Sequence, residues 1–323
     1  MLPDYSVAIR TLGKAGESYQ RLLNSLETQI HKPTDIFVYL AKGYDTPHET
    51  IGKEKIVYVE KGMVAQRALD YDEINTEWIL FLDDDVELEP DCMSRIFSLI
   101  NEYNADVIAF DSFPRNKISF WTKMKMALLL SSLPHFYLKT KGYRISCFGS
   151  LLYNICPKSE AAWSTTNAGP GFLCKKSNFK GINFKEELWL DKSGYAFPED
   201  AIMFYKMHLK GLKILTWYNP PFRHLDAQTT LKDTDSVNKK TLKQIRHNSH
   251  NQYIFYHKYI YPSLSWPKKI LGMSFRVLST SITLFVIYTT RKNGFEVVKA
   301  MLQGRDEAQK FLINKNNIKN GEE

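Results

Sequence analysis

The chain has 323 residues, 44% of them hydrophobic and 13% aromatic, and carries a formal net charge of +8. That length suits one large α/β domain with an appended piece, and the composition excludes a disordered or fibrous chain. The positive charge favours anionic partners such as nucleotides or lipid head groups. Without zinc-finger spacing or an arginine-rich basic helix, no nucleic-acid partner is expected.

Taken in order, the first half alternates strand and helix patterns. Residues 5–9 form a short β-rich run. A helix follows, with Tyr19, Leu22, Leu23, Leu26 and Ile30 at helical spacing, until Pro33 stops it. Residues 35–40 and 56–59 read as the second and third strands, and 63–71 as a short helix. Residues 78–82, Trp-Ile-Leu-Phe-Leu, are a continuous apolar run too short for a typical helix, as expected of a central strand covered on both faces. Pro90 opens another helix, and 106–110 is a fifth strand. Strands separated by helices predict right-handed crossovers and a largely parallel, Rossmann-like sheet. Ligands of such sheets bind beyond the carboxyl ends of the strands, so the residues after Ile9, Leu40, Val59 and Leu82 should share one rim.

Residues 118–133 are apolar but carry Lys123 and Lys125, which predicts an amphipathic helix rather than a membrane span. Strands at 171–174 and 213–217 flank a helix at 199–210 that Gly211 ends, and the polar stretch 232–243 reads as a mobile loop. Residues 270–290 are apolar except for Arg276. The uncharged core, 277–290, falls short of the ~20 residues a spanning helix needs. It reads as a helical extension, either lying on a membrane surface or packed on the catalytic domain, before a frayed polar tail. The domains are thus 1–225 and 226–323. Cys92, Cys147, Cys156 and Cys174 lack Cys-x-x-Cys spacing and read as buried, reduced thiols. The N-terminal residues lack a signal-peptide pattern, so a protein of the cytoplasm or of the inner face of a membrane is expected.

The chemistry concentrates in Phe81-Leu82-Asp83-Asp84-Asp85-Val86. Three adjacent carboxylates after a buried strand repel one another unless a cation or hydrogen-bond donors compensate. Hard divalent cations, Mg²⁺ or Mn²⁺, take oxygen ligands from one or two carboxylates and from substrate phosphates. A second acidic pair, Glu199-Asp200, opens a helix after the glycine-containing Ala168-Gly169-Pro170-Gly171-Phe172. Acids at a helix start also simply favour the helix dipole. His224 follows the last core strand.

Leu82-Asp83-Asp84-Asp85 resembles the D-x-D motif of the GT-A glycosyltransferases, specifically glycosyltransferase family 2. Thr11-Leu12-Gly13-Lys14 with the helix Arg21-Leu22-Leu23-Asn24-Ser25-Leu26 is similar to that family's first βα unit, and Lys61-Gly62-Met63-Val64-Ala65-Gln66-Arg67 to its glycine-then-arginine stretch. The resemblance spans about residues 5–225 as an order of elements. It implies a GT-A fold and an inverting transfer of sugar from a nucleotide-diphosphate sugar, a UDP-sugar foremost, to a carbohydrate or lipid-linked acceptor in polysaccharide or glycolipid assembly. It implies Asp85 as direct metal ligand, Asp83 at ribose or metal, and Asp84 in either role. Arg10 and Thr11 would flank the base, with Gly62 and Arg67 approaching the nucleotide. Asp200 would be the general base supported by Glu199, and His224 would complete the metal shell. A peripheral membrane contact would accompany these. At the second strand, Tyr39-Leu40-Ala41-Lys42 offers no acid to meet the base, a departure from the family. Trp163, Trp189 and Tyr195 are either sugar-stacking or core aromatics, and Arg246-His247-Asn248 is similar to a stretch near the donor pyrophosphate in relatives. Two competitors remain: a sugar nucleotidyltransferase, which would release pyrophosphate, and a non-catalytic nucleotide-sugar-binding subunit at a membrane.

Overall fold

The computed structural model describes residues 2–111, 142–152, 159–192, 194–225 and 237–320, with positions 119, 121, 124, 154 and 157. Its strands are β1 (Tyr5–Thr11), β2 (Ile36–Ala41), β3 (Glu54–Val59), β4 (Trp78–Asp83), β5 (Val86–Leu88), β6 (Val107–Phe110), β7 (Arg144–Ile145), β8 (Leu151–Leu152), β9 (Ala161–Ser164), β10 (Gly171–Lys175), β11 (Ile214–Trp217) and β12 (Phe222–His224). Among the described residues the main sheet has eight strands in the order β3-β2-β1-β4-β10-β6-β11-β9. Pairs β3/β2, β2/β1, β1/β4 and β6/β11 are parallel, whereas β10 runs antiparallel to β4 and β6, and β9 to β11. The sheet is therefore mostly parallel, with helices on both faces and helices at the C-terminal end.

Alternation along the strands builds a separate core on each face. Ile79 and Phe81 of β4 join Tyr39, Phe172 and Phe204 on one side. Trp78, Leu80 and Leu82 join Leu22, Ile96 and Phe97 on the other. Helix α1 (Glu17–Glu27) turns Tyr19, Leu22, Leu23 and Leu26 onto that second core, the i, i+3, i+4, i+7 stripe of an amphipathic helix. Helix α2 (Cys92–Tyr103) packs beside it and stops where Asn104 turns left-handed. The later helices are α3 (Lys176–Gly181), α4 (Trp189–Lys192), α5 (Glu199–Leu209), α6 (Val237–Phe255), α7 (Tyr261–Ser263), α8 (Trp266–Thr290) and α9 (Gly294–Asn320), with a π-helical turn (Tyr256–Ile260) joining α6 to α7.

Several expectations are corrected. Residues 63–71 form consecutive turns rather than a helix. There Asp191 of α4 accepts from the Val64 and Ala65 backbone N–H groups, and the Gln66 side chain donates to the carbonyls of Thr11 and Tyr39. Helical bonds run from Gln66 to Gly62 and from Ala68 to Val64, but the Leu69 N–H turns to Arg67 O. Ile30 lies past the end of α1 and is exposed; its neighbour Gln29 is buried instead, donating to the Ser25 and Glu89 carbonyls. The short ribbon partner β5 was not expected at all. Helix α6 begins at Val237, inside the stretch read as a loop, and α9 continues helical to Asn320 where a frayed tail was expected. Of the helix expected at 118–133 only 119, 121 and 124 are described, and Cys156 lies outside the described residues. Cys92 and Cys174 are buried free thiols, and Cys147 is half-buried and also free.

Candidate active site

The parallel run β3-β2-β1-β4 brings four carboxyl ends to one rim, and the antiparallel β10 adds its amino end there, with Gly171 opposite Leu82. The Asp83 N–H donates to Pro170 O at 2.9 Å, tying the loop before β10 to the acidic triplet. A Cβ at Gly171 would stand 2.8 Å from Phe110 and 2.9 Å from Leu82, so a glycine is needed for this approach.

Register explains the first contact. Arg10 on β1 sits directly opposite Asp83 on β4 and grips it with two N–H groups, Nε on Oδ1 and Nη2 on Oδ2, the latter at 3.1 Å. Burial disfavours the Arg10 cation, yet Asp83, followed by Asp200 and Glu199, outweighs it and holds the guanidinium above its ordinary range. One residue on, the face alternates: the Thr11 hydroxyl donates to Asp84 Oδ2. Burial raises Asp84 to about 6, against that hydrogen bond and with the neighbouring Asp83 and Asp85 charges adding to the rise.

Arg67, buried to 5% side-chain exposure, binds Asp200 Oδ1 through Nη1 and approaches Asp83 Oδ1 through Nη2 at 3.5 Å. Its guanidinium carbon stands 5.9 Å from the Phe172 ring centroid. Glu199, buried at 3% exposure, has Oε1 4.0 Å from Arg10 Nη1. Burial, then repulsion from Asp200, lifts its carboxyl to about 7, although both arginines pull it down. Two arginines and three carboxylates thus form one network at the rim.

Asp85 faces elsewhere. The ribbon of β5 and β12 sets His224 opposite Val86, the Leu225 N–H donates to Asp85 O at 2.7 Å, and His224 Nε2 comes 3.3 Å from Asp85 Oδ1. The structure therefore brings Asp85 and His224 together but turns Asp83 to its arginines. Among the described residues no group of three or more His, Cys, Asp and Glu is arranged to hold a metal ion. A carboxylate beside an imidazole is a donor set that suits Mn²⁺ when phosphate oxygens supply further ligands. The strand register pairs Asp83, expected at the ribose or in the metal shell, with Arg10.

Gly62 is a packing glycine: a Cβ there would lie 2.2 Å from Asp191 Oδ2, the carboxylate capping the turns that carry Arg67. Trp189 is core, its indole N–H donating to Glu187 at 2.8 Å, whereas Trp163 on β9 is exposed. Arg246 pairs with Glu307 of α9. Asn251, absent from the sequence expectations, is fully buried and donates to the carbonyls of Tyr195 and Phe197, anchoring the loop that leads to Glu199. Its only sequence signal was its place inside the polar 246–253 stretch. Asp191 had no local signal, and Gln66 only its place in the 61–67 stretch.

These features define an α/β protein with an acidic, arginine-braced rim at the carboxyl ends of parallel strands. The model of the family described as "Glycosyl transferase family 2" matches residues 20–157, short of half the chain. No curated protein matches it. Two crystal structures of S. aureus TarS are similar, each 13% identical: one over 95% of this chain and 55% of that one with a TM-score of 0.45, the other, of its residues 1–349, over 97% and 92% with 0.44. A structure of GalNAc-T7 with UDP, GalNAc and Mn²⁺ is 15% identical over 88% of this chain and 57% of that one, with a TM-score of 0.47. The chain spans little more than half the length of the full TarS and GalNAc-T7 chains.

Proposed function

We propose that the protein is an inverting glycosyltransferase of the GT-A type, residues 1–225 carrying the site, which moves a sugar from a nucleotide-diphosphate sugar to an acceptor hydroxyl. One observation carries the reading: the acid after β4 and the acid opening α5, far apart in sequence, meet on a single buried arginine. The family match over residues 20–157 supports it.

In this mechanism Asp200 takes the proton of the acceptor hydroxyl, whose oxygen attacks the anomeric carbon. The bond from that carbon to the diphosphate oxygen breaks, and the nucleoside diphosphate leaves with the electron pair. A single displacement inverts the anomeric configuration. Arg67 orients Asp200, and Arg10 fixes Asp83 at the rim beside the place of the ribose. Asp85 and His224 would hold Mn²⁺ or Mg²⁺, which when bound neutralises charge on the diphosphate. Thr11 and Asp84 border the base side of the rim. The acceptor is a carbohydrate or a lipid-linked sugar, and the donor a nucleotide-diphosphate sugar, a UDP-sugar foremost.

The test is a thermal-shift panel of nucleoside diphosphates with and without Mn²⁺, followed by a donor-turnover assay of Asp200→Asn. Stabilisation by one diphosphate, and turnover cut by ~10²-fold in a folded variant, are expected. Wild-type turnover in that variant removes Asp200 from the role. Pyrophosphate released from a nucleoside triphosphate would instead mark a nucleotidyltransferase.

A further inference from the structure

Helix α8 has its polarity the wrong way round for water. Its 25 residues include a window of mean hydropathy 1.8, of which 6% is buried. Ile270, Leu271, Val277, Leu278, Phe285 and Tyr288 are each more than half exposed. The side facing the protein holds Gly272, Arg276 and Thr280 beside the apolar Met273. Gly272 lies so close that a Cβ would be 2.3 Å from Cys147 O. Arg276 donates to Phe148 O at 3.1 Å and stacks 4.1 Å over the Tyr256 ring, and Arg305 of α9 donates to the Thr280 hydroxyl at 3.0 Å. A helix on a water-facing surface puts its apolar stripe inward. An outward apolar face of this extent is a contact surface.

The chain after α8 settles how that face can meet lipid. Helix α9 starts at Gly294 and returns to the body: a Cβ at Gly304 would be 2.1 Å from Arg246 O of α6, and Ala308 is fully buried. With Glu296, Lys299, Arg305, Asp306 and Glu307, α9 is too charged to cross a bilayer. Both ends of α8 therefore stay on one side, which excludes a span. Charge completes the picture. No Asp or Glu occurs between Leu264 and Phe295, while Lys268, Lys269, Arg291 and Lys292 stand at the two ends and exposed Trp266 at the first turn. We infer that α8 lies in the plane of an anionic lipid surface, its outward apolar face among the acyl chains and its basic ends among acidic head groups. The inference is independent of the transfer chemistry, so its test and the Asp200→Asn assay can fail separately.

Flotation of the full chain with vesicles of phosphatidylcholine alone, or mixed with phosphatidylglycerol, tests it. The protein should float with the mixed vesicles and much less with the neutral ones. A Leu278→Asp, Phe285→Asp double variant, with unchanged circular dichroism and melting, should lose at least ~10-fold in partitioning. Replacing Lys268, Lys269, Arg291 and Lys292 by Gln should erode the preference for mixed vesicles by about five-fold per charge. Three results would overturn the inference. One is no flotation, including the case of a dimer in vesicle-free solution that the double variant splits, which would make a second copy the occupant. Another is undiminished binding by the double variant. The last is protection of the α9 end from external protease, which would mean a crossed bilayer.

Discussion

Arg67 and Asp200 form a buried ion pair that joins the turns after β3 to the first turn of α5, and the same guanidinium reaches Asp83 at 3.5 Å. A carboxylate placed this way keeps its orientation, at the cost of a cation that must remain buried beside it.

Removing Arg67 should therefore damage both stability and turnover. Arg67→Ala leaves Asp200, Asp83 and Glu199 sharing one fewer counter-charge; a loss of ~3 kcal/mol in chemical denaturation is expected. Arg67→Lys should recover part of that stability but little turnover, because one ammonium cannot serve two carboxylates in fork geometry. Equal turnover by the Lys variant and the wild type would show that the fork is dispensable.

The Asp85–His224 pair, 3.3 Å apart, predicts how metal dependence is lost. Asp85→Ala should abolish the additional stabilisation that Mn²⁺ gives with a nucleoside diphosphate, and turnover should fall by ~10²-fold or more. His224→Ala should weaken the Mn²⁺ response less, since imidazole is the second donor. Chelation should reproduce the Asp85→Ala effect in the wild type. A Mn²⁺ response that survives in Asp85→Ala would place the ion elsewhere.

Glu199 predicts a pH dependence of stability. Burial raises its carboxyl from 4.5 to about 7 in the folded state. Below 4.5 both states hold the proton and nothing is lost. Between 4.5 and 7 the unfolded chain has released it while the folded protein keeps it, so stability falls as pH rises; above 7 the full penalty, on the order of 3 kcal/mol, persists. Glu199→Gln should flatten this part of the profile and be relatively more stable at pH ~8 than at pH ~5. Parallel urea-denaturation profiles for the variant and the wild type would exclude Glu199 as their source.

Asn251 anchors the loop before α5 by donating to two carbonyls, at 2.8 Å from Tyr195 O and 2.9 Å from Phe197 O. Asn251→Leu leaves both acceptors unpaired in a buried place, a cost of ~2 kcal/mol. Because Asn251 holds the loop that leads to Asp200, kcat should fall while the KM for donor holds. A KM rise with unchanged kcat would contradict a positioning role.

Much of this architecture was legible beforehand. The apolar run of β4 ending at Asp83 marked a covered strand with acids at its mouth, and the stripe Tyr19, Leu22, Leu23, Leu26 marked α1. Both are local patterns, set by periodicity and by the reluctance of adjacent carboxylates to lie together. The turns at 63–71 were misread because remote residues hold them, Asp191 by their backbone and Thr11 and Tyr39 by the Gln66 side chain, and composition carries no trace of such partners.

What the amino-acid order determined by itself was the succession of strands and helices, and which acids stand at strand and helix ends. Which acid answers to which cation was decided only in three dimensions. The register of β1 on β4 sets Arg10 against Asp83, and the β5–β12 ribbon sets His224 against Asp85. Charge pairing depends on distances of a few ångströms between remote segments, and these are fixed by strand order and packing rather than by spacing along the chain. The outward apolar face of α8 is likewise tertiary, since its composition suits a core helix equally well until Val277, Leu278 and Phe285 are seen exposed.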